Sequence, residues 1–537
     1  MQNANAKGET QNAKPADRPV ERWRARCGAV LAWLAGGFGI DVRSLAAFRM
    51  AIASMVLVDL AERLPDLTAH YSDLGVLPRA ARVVMETNGS TTSGSWAWSL
   101  HQASGSPAGQ ALLFLLAAGC ALSMLAGFRT RWATFACWLF TVSIYYRNPM
   151  LEDAGDTILH TVLFWSMFLP LGAAASLDRC LEQPVPPVPR RIVSVPGAAL
   201  LLQICQVYWA TAAEKHSPAW LSEHTALYYT LSLDAFVTPL GHRLLAYPQL
   251  LKGLTAFVYW FEWLGPILAL LPVRRGLPRL LAVFGFWSLH LGIALTLELG
   301  AMPWISLGVW TIALPGAFWD RLQAIANHAL AWRRPWAWPS GASAIFRRLP
   351  PGRPSYRPPG RITNVLVAAL ALYTIVWNVN QVTGLLEGRL SPSWKAPAYV
   401  LGLEQTWRMF APYPITEDGW YEMRGVLADG SEVNLWEHDQ PPPRRKPPNV
   451  AQTYRNRRWR KYLLGLRVYW TPFVPEFVAW LTRQWNDEYA GEAPQRRVRH
   501  VDIIYHIEET LSPDRRSTLI VPEIVFEGDV ADSSPQR

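Results

Sequence analysis

Charge is scarce in this sequence. Only 17% of its 537 residues are Asp, Glu, Lys or Arg, and half are hydrophobic, where soluble domains carry roughly 25% charged residues. Too few charges remain to coat a soluble surface of this size. That excludes a string of three or four ordinary soluble domains, the expectation for this length at about 150 residues each. Cysteine is sparse as well. The five (Cys27, Cys120, Cys137, Cys180, Cys205) fall in the first 205 residues, with no C-x-x-C pair and no histidine at metal-ligand spacing beside them. Neither a disulfide framework nor a metal site is expected. Met1 to Pro19 is polar and lacks an apolar run, so no cleavable signal peptide is read there. Internal repeats and broken-helix pairs are missing, which places a transporter behind other readings.

What is present points to a membrane. Tryptophan occurs 27 times, suited to a chain meeting two membrane–water interfaces, where indole offers an apolar body and one polar N–H. Nine runs have the length and apolarity of a spanning helix: residues 44–63, 108–127, 130–147, 156–173, 196–213, 253–272, 278–299, 302–318 and 362–383. Each is expected to be helical, because in lipid a segment must satisfy its own backbone.

The formal charge of +10 makes nucleic acid the first suspect as partner, but the arginines fall between the apolar runs and no nucleic-acid partner is expected. With the N-terminus inside, the inner segments hold about 23 Lys and Arg and the outer loops about 6, the asymmetry that retains basic loops in the cytoplasm. Arg129/Arg131, Arg190/Arg191, Arg274/Arg275/Arg279 and the stretch from Arg333 to Arg361 all agree. The expectation is a multi-pass protein of the cell (inner) membrane, with a cytoplasmic N-terminus and, after nine crossings, an extracytoplasmic C-terminal region.

From about Leu385 the composition becomes more charged and strand-like. Residues 419–436 read as a β-hairpin turning at Ala428-Asp429-Gly430-Ser431, 497–507 and 518–526 as further strands, and 459–485 as helical. The fold class is therefore mainly α, a bundle of about nine transmembrane helices with a C-terminal α+β, β-rich domain. The mixed stretch 224–240 around Asp234 reads as a re-entrant or interfacial helix.

Ionisable groups inside apolar spans mark either polar clasps or chemistry. At about 1.5 Å per residue, Asp59, Asp156 and His160 lie within the outermost ~6 Å and Lys215 at the mouth of its span. Glu262 and His290, on consecutive spans, both lie near ~14 Å deep, so they are expected to touch. Each group also has a plain reading. Arg49 and Asp59 can snorkel or bond backbone, His160 can join two helices, Lys215 can anchor at the interface, and Trp260, Trp263 and Trp287 can serve packing or the aromatic belt.

Several stretches resemble one family. Gly39-Ile40-Asp41-Val42-Arg43 through Phe48-Arg49, the later Asp59, and Tyr71-Ser72-Asp73-Leu74-Gly75-Val76-Leu77-Pro78-Arg79 are similar to the opening of the HTTM domain, shared by vitamin K-dependent gamma-glutamyl carboxylases and many bacterial proteins. Ala154-Gly155-Asp156 with Phe164-Trp165 resembles its fourth span. Lys215, five residues before Trp220, resembles the catalytic-lysine segment, and His290 before Leu299-Gly300-Ala301 a later histidine span. Gln405-Thr406-Trp407-Arg408-Met409-Phe410 resembles the start of the lumenal β-rich domain.

The resemblance covers an HTTM-like domain (39–320); composition, apolar runs and charge bias add a tail and lead-in (1–38), a basic Pro/Arg-rich loop (321–360), a last membrane helix (361–384) and an extracytoplasmic domain (385–537). The resemblance implies a lysine that deprotonates a reduced naphthoquinone (vitamin K or menaquinol type), O₂ that forms the epoxide, and a strong base that opens a polypeptide glutamate to CO₂, without metal. Lys215 would then be the base, with His160 and His290 as further catalytic residues and Asp156, Glu262 and Trp220 toward substrate. The chain departs from the pattern at Glu214, at Ile293 and Leu295, and at Ala411-Pro412, positions that bear on glutamate and CO₂ handling more than on quinol binding. Two readings follow: a quinol-linked carboxylase or epoxidase, and a non-catalytic scaffold, an assembly or immunity-type factor, that presents its outer domain to a partner.

Overall fold

The computed structural model describes residues 36–87, 96–182, 187–273, 276–330, 356–438, 440–491, 493–511 and 519–530, with a few positions between 26 and 33. Cys27, Arg274, Arg275 and most of the stretch 333–361 lie outside the described residues.

The first part of the chain is a helical bundle: α1 (Val42–Arg63), α2 (Pro107–Ala126), α3 (Thr130–Arg147), α4 (Ala154–Ser166), α5 (Val195–Glu214), α6 (Pro248–Leu270), α7 (Leu277–Thr296), α8 (Met302–Trp310) and, after the basic loop, α9 (Arg361–Thr383). Local chemistry sets their starts. Asp41 accepts the Arg43 N–H at 2.9 Å ahead of α1, Ser106 and Ser194 cap α2 and α5 with proline in the first turn, and Asp153 with Asp156 forms a capping box on α4. Such caps satisfy the orphan N–H groups of a first turn.

Among the described residues, six helices are long and apolar enough to cross a membrane: α1, α2, α5, α6, α7 and α9. The expected runs 156–173 and 302–318 are shorter as helices. α4 has 13 residues and α8 only 9 before a 3-10 turn at Thr311–Ala313, roughly 20 Å or less against a ~30 Å hydrocarbon core. The reason is their position. Every residue of α4 from Gly155 to Ser166 is buried in the bundle, and irregular backbone at membrane depth is tolerated when protein surrounds it. α3 has the length, but its polar and aromatic content leaves it outside the six.

The stretch 224–240 is not one helix. It breaks into Ala226–Leu231 and, from Pro239, a second short helix, and it sits against the C-terminal domain: Lys446 pairs with Asp234 at 2.5 Å and Asp418 accepts the Ala235 N–H at 3.0 Å.

The C-terminal region carries β1 (Glu417–Leu427), β2 (Glu432–Asn434), α10 (Arg457–Val468), α11 (Val474–Tyr489), β3 (Val498–Glu509) and β4 (Leu519–Asp529). The antiparallel sheet runs β2-β1-β3-β4. Its hairpin turns where expected, with Gly430 at φ 85° and Asp429 accepting the Ser431 N–H at 2.8 Å. α10 and α11 bury Trp459, Tyr462, Phe477 and Trp480 in a core that includes Trp420 and Tyr505 of the sheet. Cys120, Cys137, Cys180 and Cys205 are free thiols.

Candidate functional site

Two buried charged sites stand out. The first is built where the last residue of α5 leads into Lys215, whose non-helical backbone ends the helix. Lys215 and Glu262, on α6, are 4% and 6% exposed. The Lys215 ammonium donates to both carboxylate oxygens of Glu262, at 2.6 and 2.5 Å, and lies 4.4 Å from the centroid of the Trp220 ring. Trp220 is fixed in turn by donating its indole N–H to the Phe410 carbonyl at 2.9 Å. Glu214, the neighbouring carboxylate, turns away to Arg408 at 3.3 Å. Lys215 thus has one carboxylate partner and one aromatic face, an arrangement able to hold and pass a single proton.

Glu262 and His290 do not meet as expected. Counting residues put them on a common level, but their partners, Lys215 and Tyr208, stand seven positions apart along α5, roughly 10 Å at 1.5 Å per residue, and Glu262 faces the end of α5. His290 instead bonds Tyr208 of α5, whose hydroxyl lies 2.7 Å from its Nε2. The Trp310 indole donates to the same hydroxyl at 2.8 Å. A tyrosine that accepts from Trp310 and donates to Nε2 satisfies this string, leaving His290 Nδ1 buried without a partner among the described residues. A cavity of about 20 Å³ reaches Tyr208 between Val207, Ser306 and Trp407. It clears the ~10–15 Å³ that one water needs but is far below the size of a naphthoquinol.

His160 stands apart from both. Its Nδ1 lies 2.8 Å from the Gly402 carbonyl, which can only accept, so Nδ1 carries the proton. Tyr145 packs edge-on at 4.8 Å. This is the plain reading of a core histidine, joining α4 to the segment after α9.

The second charged site holds Asp59 and Asp156. Arg63, one turn after Asp59, donates to Asp59 at 2.8 Å, to Asp156 at 2.7 Å and to Glu152 at 3.2 Å. Arg458 of α10 enters from the C-terminal domain and donates to Asp59 at 2.5 Å and to both oxygens of Asp156 at 2.5 and 2.7 Å. Next to it Arg457 pairs with Glu62 and Asp153, each at 2.5 Å. In the loop before α4, burial pushes the Glu152 carboxyl above its usual range, and Asp156 beside it acts in the same direction. Asp156 is therefore an arginine-clamped residue of a junction, not a neighbour of Lys215. Arg49 bonds backbone, donating to the carbonyls of Leu171 and Ala175 at 3.1 and 2.5 Å.

Sequence reading missed Tyr208, Glu152 and the arginines 63, 457 and 458. Arg63 carried a visible signal, four residues after Asp59 on one helix face. Arg458 carried none, since a basic turn in a polar segment ordinarily faces water. On the sheet, His500, Asp502 and Glu527 bring ligand-type atoms within 4.8 Å of one another, with His500 already bonded to Asp529 at 2.7 Å and Asp502 at 3.2 Å. Comparison of the chain with family models, with curated proteins and with solved structures found no match.

Proposed function

We propose that the chain is a multi-pass membrane protein of the HTTM type whose Lys215–Glu262 pair is the proton-accepting centre of a quinol-linked epoxidase or carboxylase. The observation that supports this is a lysine and a carboxylate paired in isolation, within 2.6 Å, at the C-terminal end of α5 beside an aromatic ring. Free lysine is neutral only about once in ~2,500 at pH 7. A paired carboxylate in low dielectric offers the lysine proton a second home, because moving it across neutralises both buried charges at once. Neutral Lys215 then takes the hydroxyl proton of a reduced naphthoquinone, with Trp220 as the stacking face. A polypeptide glutamate is the co-substrate that the carboxylase form requires.

The test is oxygen-dependent epoxide formation from a reduced naphthoquinone. Wild type turns over and a folded Lys215→Ala does not; equal turnover in the two removes Lys215 as the base. A lipid extract of the purified protein, read by mass spectrometry, is expected to contain a naphthoquinone.

The small size of the cavity at Tyr208 favours a second reading, a scaffold that presents its C-terminal domain to a partner. Absence of epoxide from both wild type and variant, with no quinone in the extract, selects it. We also propose nine crossings, with α4 and α8 completed by buried non-helical backbone, and the C-terminal domain outside. A reporter fused at Arg537 is expected to behave as exported and one near Arg347 as cytoplasmic. The same side for both overturns this topology.

A further inference from the structure

The bundle end opposite the C-terminal domain holds an open cavity of about 400 Å³, lined by Arg191, Arg279 and Asp41 together with Pro272, Gly276 and Leu314. Its charges are unbalanced. Arg279 is 6% exposed, and its guanidinium donates to the carbonyls of Ala269 at 2.8 Å, Gly39 at 2.7 Å and Gly37. Those carbonyls take three of its five N–H groups and hold it in place, but they carry no net charge to offset its own. Arg191 donates to the Gly36 carbonyl, and among the described residues neither arginine has an ion-pair partner. Asp41, the one carboxylate in the lining, is occupied: both of its oxygens accept from Arg43 at 2.9 Å.

Two features add to this excess of positive charge. α7 begins at the cavity with no side-chain cap, so its free N–H groups add a partial positive charge. The surface at the cavity is apolar and open, with the lining Val273 49% exposed and Leu277, next in sequence to the lining Gly276, 59% exposed. The volume falls in the range of small-ligand sites, and planar guanidinium groups suit phosphate oxygens.

We propose that this cavity binds a phosphate-bearing anion, supplied by an anionic phospholipid whose headgroup enters between Arg191 and Arg279 while its acyl chains lie along Val273 and Leu277. The single negative charge of the phosphodiester offsets part of the positive charge of the two arginines, and the apolar rim distinguishes a lipid from free phosphate.

The experiment uses the full chain in nanodiscs and native mass spectrometry, comparing retention of phosphatidylglycerol with phosphatidylcholine. Wild type is expected to retain the anionic lipid about ten-fold better, the size of one charge-assisted hydrogen bond. Arg191→Gln is the chosen variant, since Arg279→Gln removes three backbone bonds and endangers folding. It is expected to bring the two lipids to parity with an unchanged melting temperature in lipid-free detergent. Arg129→Gln, an exposed arginine at the same end, is expected to keep the preference. No preference in wild type, or equal loss in Arg129→Gln, overturns the site. A melting-temperature rise in inorganic phosphate that matches the lipid's and vanishes in Arg191→Gln retains the anion site and overturns the lipid as its source. None of these readouts depends on quinol chemistry.

Discussion

The two buried charged sites use opposite chemistry. At the junction, Arg63 and Arg458 hold Asp59 and Asp156 through several short bonds each; at the α5–α6 contact, one lysine meets one glutamate. Guanidinium keeps its proton at any physiological pH and its fork fits two carboxylates, so the junction is suited to holding the C-terminal domain against the bundle. An ammonium group can release its proton, and a lone partner can accept it. The difference teaches that burial of charge by itself is no mark of a catalytic site. On the proposed reading, what separates fastening from chemistry is the number of partners and whether the cation can become neutral.

The largest effect is expected at the junction. Arg458→Ala leaves Arg63 as the main cation against three buried carboxylates, Asp59, Glu152 and Asp156, and is expected to lower stability by about 3–5 kcal/mol, read as a drop in thermal midpoint and as early proteolysis between the bundle and the C-terminal domain. Arg458→Lys is expected to recover only part of this, because one ammonium cannot span both Asp59 and Asp156. Full recovery would erase the distinction drawn between the two sites.

At the lysine site, Glu262→Gln is expected to destabilise by about 1–3 kcal/mol, while the double change Lys215→Met with Glu262→Met returns stability close to wild type, since apolar replacement of a buried pair is often neutral. Epoxide formation is expected to be lost in both. A double variant as unstable as the single one would mean that the pair is structural in the manner of the junction.

His290→Ala is expected to cost about 1 kcal/mol by freeing the Tyr208 hydroxyl. Combined with Glu262→Gln it is expected to add within ~0.5 kcal/mol, because the two belong to separate contacts. Strong coupling in the cycle would reinstate the Glu262–His290 contact expected from depth.

The smallest effect belongs to an exposed pair that serves as the contrast. Hydrogen bonding to Asp529 raises the pKa of His500, with Asp502 contributing. A histidine raised on folding stabilises below its ordinary value of 6.5, and the contribution is lost as pH climbs through the raised value. Solvent screening limits it to about 0.5 kcal/mol. Comparing wild type with Asp529→Asn across this window checks it, and a variant with an unchanged pH dependence removes the pair as its source.

Sequence by itself determined the mainly helical class with helices long and apolar enough to cross a membrane, the start and length of most apolar helices, the hairpin at Asp429-Gly430 and the strands that follow. These rest on local chemistry: run length, periodicity, capping side chains and turn residues act within a few positions of one another. It also singled out Lys215, Glu262, Asp156, His160 and His290, because an ionisable group in an apolar run is conspicuous whatever surrounds it. Their partners were a different matter. Pairing of Lys215 with Glu262, of His290 with Tyr208, and of Asp59 and Asp156 with Arg458, 399 and 302 positions away, was decided by helix rotation and by how the C-terminal domain docks. The shortening of α4 and α8 has the same origin, since a segment wrapped by other helices need not span lipid on its own. Counting residues from the ends of apolar runs set Lys215 at a mouth and Glu262 near ~14 Å deep, yet the two touch; relative level, like direction around a helix, is fixed only when every helix has packed against its neighbours.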